Sequence, residues 1–91
     1  MSENEGQLEV TVAPGFAETE YYVMVQDGPA AFVNRDLVSV AAPPTADTPV
    51  EGRVKVYVLD QGDHDALIEL PGEAVVGGLR ARVSLALLQP A

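Results

Sequence analysis

Cysteine and tryptophan are both absent from this 91-residue chain. The lack of cysteine excludes disulfides, thiolate metal ligands and thiol nucleophiles together, and removes any sequence clue to the redox state of the compartment. Basic residues are few: five Lys and Arg stand against fourteen Asp and Glu, for a formal charge of −9 and a pI of about 4.2. There is a single histidine. No apolar run approaches the roughly 18 residues that a membrane-spanning helix needs. The opening Met1-Ser2-Glu3-Asn4-Glu5 is acidic where a secretory signal would be basic and then apolar. A cytoplasmic protein without a membrane segment is the expectation. A usable stretch of helical periodicity is missing too.

What is present is alternation. Leu8, Val10 and Val12 alternate with Glu9 and Thr11, and Val54, Val56 and Val58 alternate with Arg53, Lys55 and Tyr57. A period of two is that of strands with one face buried. Glu20-Tyr21-Tyr22-Val23-Met24-Val25-Gln26 is rich in aromatic and β-branched residues and ends at the turn signal Asp27-Gly28-Pro29, after which Ala31-Phe32-Val33 supplies a hairpin partner. Ala66-Leu67-Ile68-Glu69-Leu70 stops at Pro71-Gly72, and a further strand follows Gly77-Gly78 through Leu79-Arg80-Ala81-Arg82-Val83-Ser84-Leu85. The apolar share of 47% is enough to fold a small domain. The fold class expected is all-β, with six to eight short strands in two related three- to four-stranded meander units packed as one barrel-like domain. The expected layout is a mobile acidic N-terminus over 1–6, a first β unit over 7–42, an extended Pro-rich linker over 43–51 and a second β unit over 52–91.

The two halves can be laid over one another. Val10 falls on Val56 at an offset of 46, Val23 on Ile68 at 45, and Val33 on Val83 at 50, with the differences confined to connections. An internal repeat is therefore expected. Each half has about 40 residues, a size that rarely folds alone without a disulfide or a metal, so the halves should share a core.

The segment Ala31-Phe32-Val33-Asn34-Arg35-Asp36-Leu37-Val38-Ser39-Val40 is a strand ending in an aromatic and Val, a polar one-turn step, and Leu-Val entering a final strand. It resembles the closing segment of Src-homology-3-like small β-barrels, where a single 3₁₀ turn joins the last two strands. The resemblance implies that Asn34-Arg35-Asp36 forms that turn, and Ala81-Arg82-Val83-Ser84-Leu85-Ala86-Leu87-Leu88 looks like a degenerate copy. The Tyr and Trp groove of the proline-peptide-binding members has no counterpart in a chain without Trp, whose three tyrosines are Tyr21, Tyr22 and Tyr57. The resemblance thus implies a scaffold, and scaffolds of this kind host many functions.

The loop Asp60-Gln61-Gly62-Asp63-His64-Asp65 gathers three carboxylates and the histidine. Ca²⁺ takes several oxygen ligands, but the spacing is not that of a calcium loop, and Gly and Asp are ordinary turn formers, so a solvated turn is the better reading. His64 has no serine in a nucleophile-elbow context to activate. Gly77-Gly78 leads into a strand, where a phosphate site would want a helix N-terminus. No catalytic, metal or cofactor site is expected, and the protein should not be an enzyme.

Charge is divided unevenly. Residues 1–51 hold nine acids and one base, and residues 52–91 hold five acids and four bases. An acidic face is expected from Glu9, Glu18, Glu20, Asp27 and Asp36, and a basic stripe from Arg53, Lys55, Arg80 and Arg82. Four bases on a strongly acidic protein make a poor nucleic-acid ligand, so direct nucleic-acid binding is not expected. Val75 and Val76, apolar residues in a turn, are candidates for an apolar interface. The expected function is non-enzymatic protein binding or assembly with a protein partner, a second copy of the chain included, of the kind found in phage or mobile-element accessory proteins. The alternative is an acidic nucleic-acid mimic that inhibits a DNA- or RNA-binding protein through its basic surface. The shared core has a direct check: fragments 1–46 and 49–91, each alone, should show no cooperative thermal transition.

Overall fold

The structure, a computed structural model, describes residues 4–90. They form nine strands: β1 (Glu5–Pro14), β2 (Glu20–Met24), β3 (Ala30–Asn34), β4 (Val38–Val40), β5 (Val50–Gln61), β6 (Asp65–Glu69), β7 (Glu73–Val76), β8 (Arg80–Ser84) and β9 (Leu88–Pro90). Two 3₁₀ turns, Arg35–Leu37 and Leu85–Leu87, precede β4 and β9. All strand pairs are antiparallel and belong to one sheet of order β7-β3-β2-β1-β5-β6-β8, with β4 on β5 and β9 on β1. The sheet is strongly curled into a half-barrel, all-β and small, in keeping with a barrel of the Src-homology-3-like kind.

The curl follows from how the two long strands are shared. β1 and β5 pair with one another over eight residues, Glu5 opposite Tyr57 through Val12 opposite Val50. On its other edge β1 carries β9 at Gly6–Leu8 and then β2 at Thr11–Pro14. β5 likewise carries β4 at Gly52–Val54 and then β6 from Tyr57 onward, with a bulge at Leu59 that bends the strand. A strand that changes partner along its length must twist between two directions, so the sheet curls. The concave face collects the alternating apolar residues: Leu8, Val12, Val23, Val33, Val54, Val56, Ile68 and Leu70 are fully buried. A row of four apolar residues, Val38, Val54, Leu8 and Leu88, crosses the middle of this face. No buried side-chain nitrogen or oxygen among the described residues lacks a hydrogen-bond partner.

Close approach of the short closing strands requires glycine. A Cβ on Gly52 would lie 2.7 Å from the Ser39 carbonyl oxygen, and one on Gly6 would lie 3.0 Å from that of Gln89. Both 3₁₀ turns are capped alike: the Asn34 side chain accepts from the Asp36 N–H at 2.8 Å, and the Ser84 hydroxyl accepts from the Ala86 N–H at 3.2 Å. A short polar side chain before the turn satisfies an N–H that the turn itself leaves free.

Three features differ from the sequence expectation. Residues 1–3 of the expected mobile terminus lie outside the described residues, whereas Glu5 and Gly6 are already paired in β1. The connection after β4 does not run extended. Thr45 and Thr48 exchange N–H···O bonds of 3.2 and 3.1 Å, and the chain turns back so that β5 starts at Val50 and pairs with β4. Prolines alone do not force an extended path when the flanking strands are antiparallel neighbours. Glu73–Val76, expected as a turn, is β7 and covers the edge of β3. The β3 edge offers free backbone groups, and positive φ at Gly72, Gly77 and Gly78 lets the chain reach it and return. In keeping with the single shared core that was expected, the two halves do not close separately: β4 lies on the first strand of the second half, and β9 on that of the first.

Two outcomes are expected. Because each half supplies the other's closing strand, the fragments 1–46 and 49–91, mixed at equal concentration, should regain a β-sheet circular-dichroism spectrum that neither has alone. Gly52→Ala should cost on the order of 1–3 kcal/mol in urea unfolding through overpacking against β4, and Gly6→Ala less.

Candidate functional site

Side chains alternate between the concave core and the convex outer face, so the charged side chains of the strands gather on the outer face. In the second half this face is a mesh of ion pairs. Arg80 stands opposite Glu69 in the β6/β8 ladder, and its Nε lies 3.5 Å from the Glu69 carboxylate. Arg82 reaches Asp65 at 3.2 Å, and Lys55 reaches Glu5 across β1/β5 at 3.1 Å. Arg53 faces Glu9 in the same ladder. The four residues expected as a basic stripe are therefore on the outer face, but β6 separates Arg80 and Arg82 from Arg53 and Lys55. Each has a carboxylate as its neighbour. Exposed pairs of this kind contribute little to stability, but they cancel charge locally.

The expected acidic face is only partly assembled. Glu18, Glu20 and Asp36 gather at one end of the β2/β3 hairpin, where Glu20 is opposite Asn34 and the Arg35 N–H donates to the Thr19 carbonyl at 2.9 Å. Asp27 is at the other end, in the β2/β3 turn, at a positive φ of 55° that Asp tolerates better than most residues. Glu9 is on β1 beside Arg53 and does not join the others. Among the described residues, none of Glu18, Glu20, Asp27, Asp36, Glu51 and Glu73 is in an ion pair. Glu18, Glu20, Asp27, Asp36 and Glu73 thus put unpaired negative charge on and around β2, β3 and β7, and Asp47, Glu51, Asp60 and Asp63, elsewhere on the chain, are also in no ion pair among the described residues.

This same region carries an aromatic cluster that the alternation alone did not single out. Tyr22 and Phe32 are opposite one another in the β2/β3 ladder, with ring centroids 5.3 Å apart. Phe16, from the β1/β2 loop, lies 5.1 Å from Phe32 and is nonetheless 93% exposed. The signals that could have found it are a large aromatic in a loop, directly after Pro14-Gly15, and the shared parity of Glu20, Tyr22 and Met24, which points both Tyr22 and Met24 outward. On the opposite face, Tyr21 is buried, and the Arg35 guanidinium sits 4.4 Å over its ring.

Val75 and Val76 belong to β7 and are 48% and 56% exposed. Two open grooves flank the closing strands. One, of about 510 Å³, is lined by residues including Glu9, Thr11, Ser39, Val40, Glu51 and Arg53. The other, of about 340 Å³, is lined by residues including Glu5, Gly6, Val58, Leu88 and Gln89. His64 lines neither; it is exposed in the β5/β6 turn, which the Gly62 N–H closes by donating to the Asp65 carbonyl at 2.8 Å. Among the described residues, no three His, Asp or Glu side chains are placed to hold one metal ion, and no helix is long and apolar enough to cross a membrane.

The exposure of Val75 and Val76 sets one expectation: the double change Val75→Asp, Val76→Asp should move stability by no more than about 1 kcal/mol, a strand-propensity effect at a sheet edge. Differential scanning calorimetry checks it; a larger loss would place the two valines in the core. A comparison of the chain with known protein families, with curated proteins and with solved structures finds no match.

Proposed function

We propose that this protein is a non-enzymatic interaction module whose acidic first half engages a basic surface of another protein. The observation that carries the reading is the partition of charge. The bases of the second half are each set against a carboxylate, while the carboxylates around β2, β3 and β7 have no ion-pair partner among the described residues. Such a surface attracts cationic partners and repels nucleic acid. A basic surface that normally holds nucleic acid is a natural target, which makes inhibition by mimicry the form of the activity that this charge favours. A second reading, assembly of copies through β7, is supported by the exposure of Val75 and Val76.

The ladders also support reading the two halves as copies of one unit. Offsets of 46, 45 and 50 carry Val12 opposite Val23 onto Val58 opposite Ile68, and Tyr21 opposite Val33 onto Ala66 opposite Val83. They also carry Val38 opposite Val54 onto Leu88 opposite Leu8. On this reading Leu8 and Val54 are equivalent residues facing each other across a local two-fold axis, and β7 is an addition without a counterpart.

The test is affinity capture of the tagged protein's partners from lysate of its source, eluted in salt steps and identified by mass spectrometry. A nucleic-acid-binding protein released in the low-salt steps is the expected result, because exposed charges are screened within about 8–10 Å at 0.1–0.15 M salt. Retention of the protein itself through high salt, and nothing else, would favour assembly through the apolar edge.

A further inference from the structure

The outer faces of the two halves differ at places that the backbone makes equivalent. At the offsets above, Tyr22, Met24, Ala30 and Phe32 correspond to Leu67, Glu69, Arg80 and Arg82. In the second half these positions hold the ion pairs of Arg80 with Glu69 and of Arg82 with Asp65. The fold therefore accepts charged side chains at the sites of Met24, Ala30 and Phe32 and a leucine at that of Tyr22, and nothing in the backbone demands rings there. The first half nonetheless places Tyr22 and Phe32 side by side and adds Phe16 against them, 93% exposed.

The rim of this ring cluster is acidic. Glu20 precedes Tyr22 by two residues on the same face, Glu73 of β7 is opposite Phe32, and Glu18 follows Phe16 by two residues in the loop. None of the three is ion-paired among the described residues. Ring faces attract cations through their quadrupole, and a guanidinium combines this stacking with two-pronged bonds to a carboxylate, which an ammonium cannot match. The chain itself shows the geometry on its other side, where Arg35 covers the ring of Tyr21. A second copy is a poor occupant, because it too carries −9 and would bring like carboxylates together.

We infer that Phe16, Tyr22 and Phe32, fringed by Glu18, Glu20 and Glu73, form a docking surface for an arginine-bearing segment of the partner protein, with guanidinium groups stacked on the rings. The inference rests on the reading of the acidic half as a binder of basic surfaces, and it names the anchor within that half. Phe16 is the diagnostic residue, because its exposure separates docking from folding.

The experiment is a titration of the full-length ¹⁵N-labelled protein with two synthetic peptides of equal charge, one alternating Arg and Ser, the other Lys and Ser, followed by amide shifts. Expected are shifts concentrated at 16–24, 30–34 and 73–76, tighter binding of the arginine peptide, and roughly two- to fivefold weaker binding by Phe16→Ser, the range of an exposed cation–π contact. The melting temperature of Phe16→Ser should match that of the parent. Glu73→Gln serves as the second variant and should weaken binding without abolishing it. Shifts spread equally over the acidic turn at 60–65, equal affinity of the two peptides, or undiminished binding by Phe16→Ser would each overturn the inference. In that last case salt-sensitive binding would leave the charge-based function standing. No binding by the parent protein also overturns the inference, and the lysate capture then decides the function separately. Dimerisation of the parent that Phe16→Ser abolishes would overturn the assignment of the occupant to a basic partner.

Discussion

Every other element of this protein is hung on the antiparallel pairing of β1 and β5. Eight residues of each strand face one another, and both strands have all their core-facing positions between 8 and 12 and between 54 and 56 occupied by buried Leu and Val. Each then carries two further strands in succession on its outer edge. The consequence is mutual dependence. Removing one half removes not only a packing surface but also the strand that completes the other half's ladder. A 40-residue meander buries too little surface to offset its conformational entropy, and sharing one core between two of them is a physical solution that needs no disulfide or metal.

The same arrangement dictates where function can reside. The concave face is filled by the core, and open grooves flank the closing strands. The charged residues and the ring cluster lie on the convex face and its edges. There the two halves differ: the four bases of the second half each stand beside a carboxylate, two of them of the first half, while Glu18, Glu20 and Glu73 lie in no ion pair around the half-buried Tyr22 and Phe32 and the exposed Phe16. Internal pairing makes a surface bland towards partners, while unbalanced charge beside apolar area makes one attractive. In the proposed function, the charge brings a basic partner in and the rings hold it.

Much of the fold was legible in the residues because it rests on local periodicity. The alternation around Val10 and around Val56 marks β1 and β5, and Asp27-Gly28-Pro29 marks the β2/β3 turn, while the 3₁₀ turn at Asn34-Arg35-Asp36 was implied only by the resemblance to small β-barrels. Less legible was Glu73–Val76, whose strand character depends on an uncovered β3 edge 40 residues away and on Gly72 turning the chain towards it. The candidate site was half legible. The excess of acid in the first half follows from counting, but counting could not say that Glu9 stands beside Arg53, or that Lys55, Arg80 and Arg82 each lie against a carboxylate.

By itself the sequence determined that the chain is all-β, which residues of β1 and β5 face inward, and that negative charge accumulates in the first half. These are properties of nearest neighbours and of composition, and they hold whatever the strands pair with. Tertiary structure alone decided that β4 and β9 cross to the opposite half, that the proline-rich connection is a hairpin loop, and that Phe16 lies on Phe32 beside unpaired glutamates. Those facts depend on which strand edges meet across tens of residues, and that choice is made by how the two halves share one core.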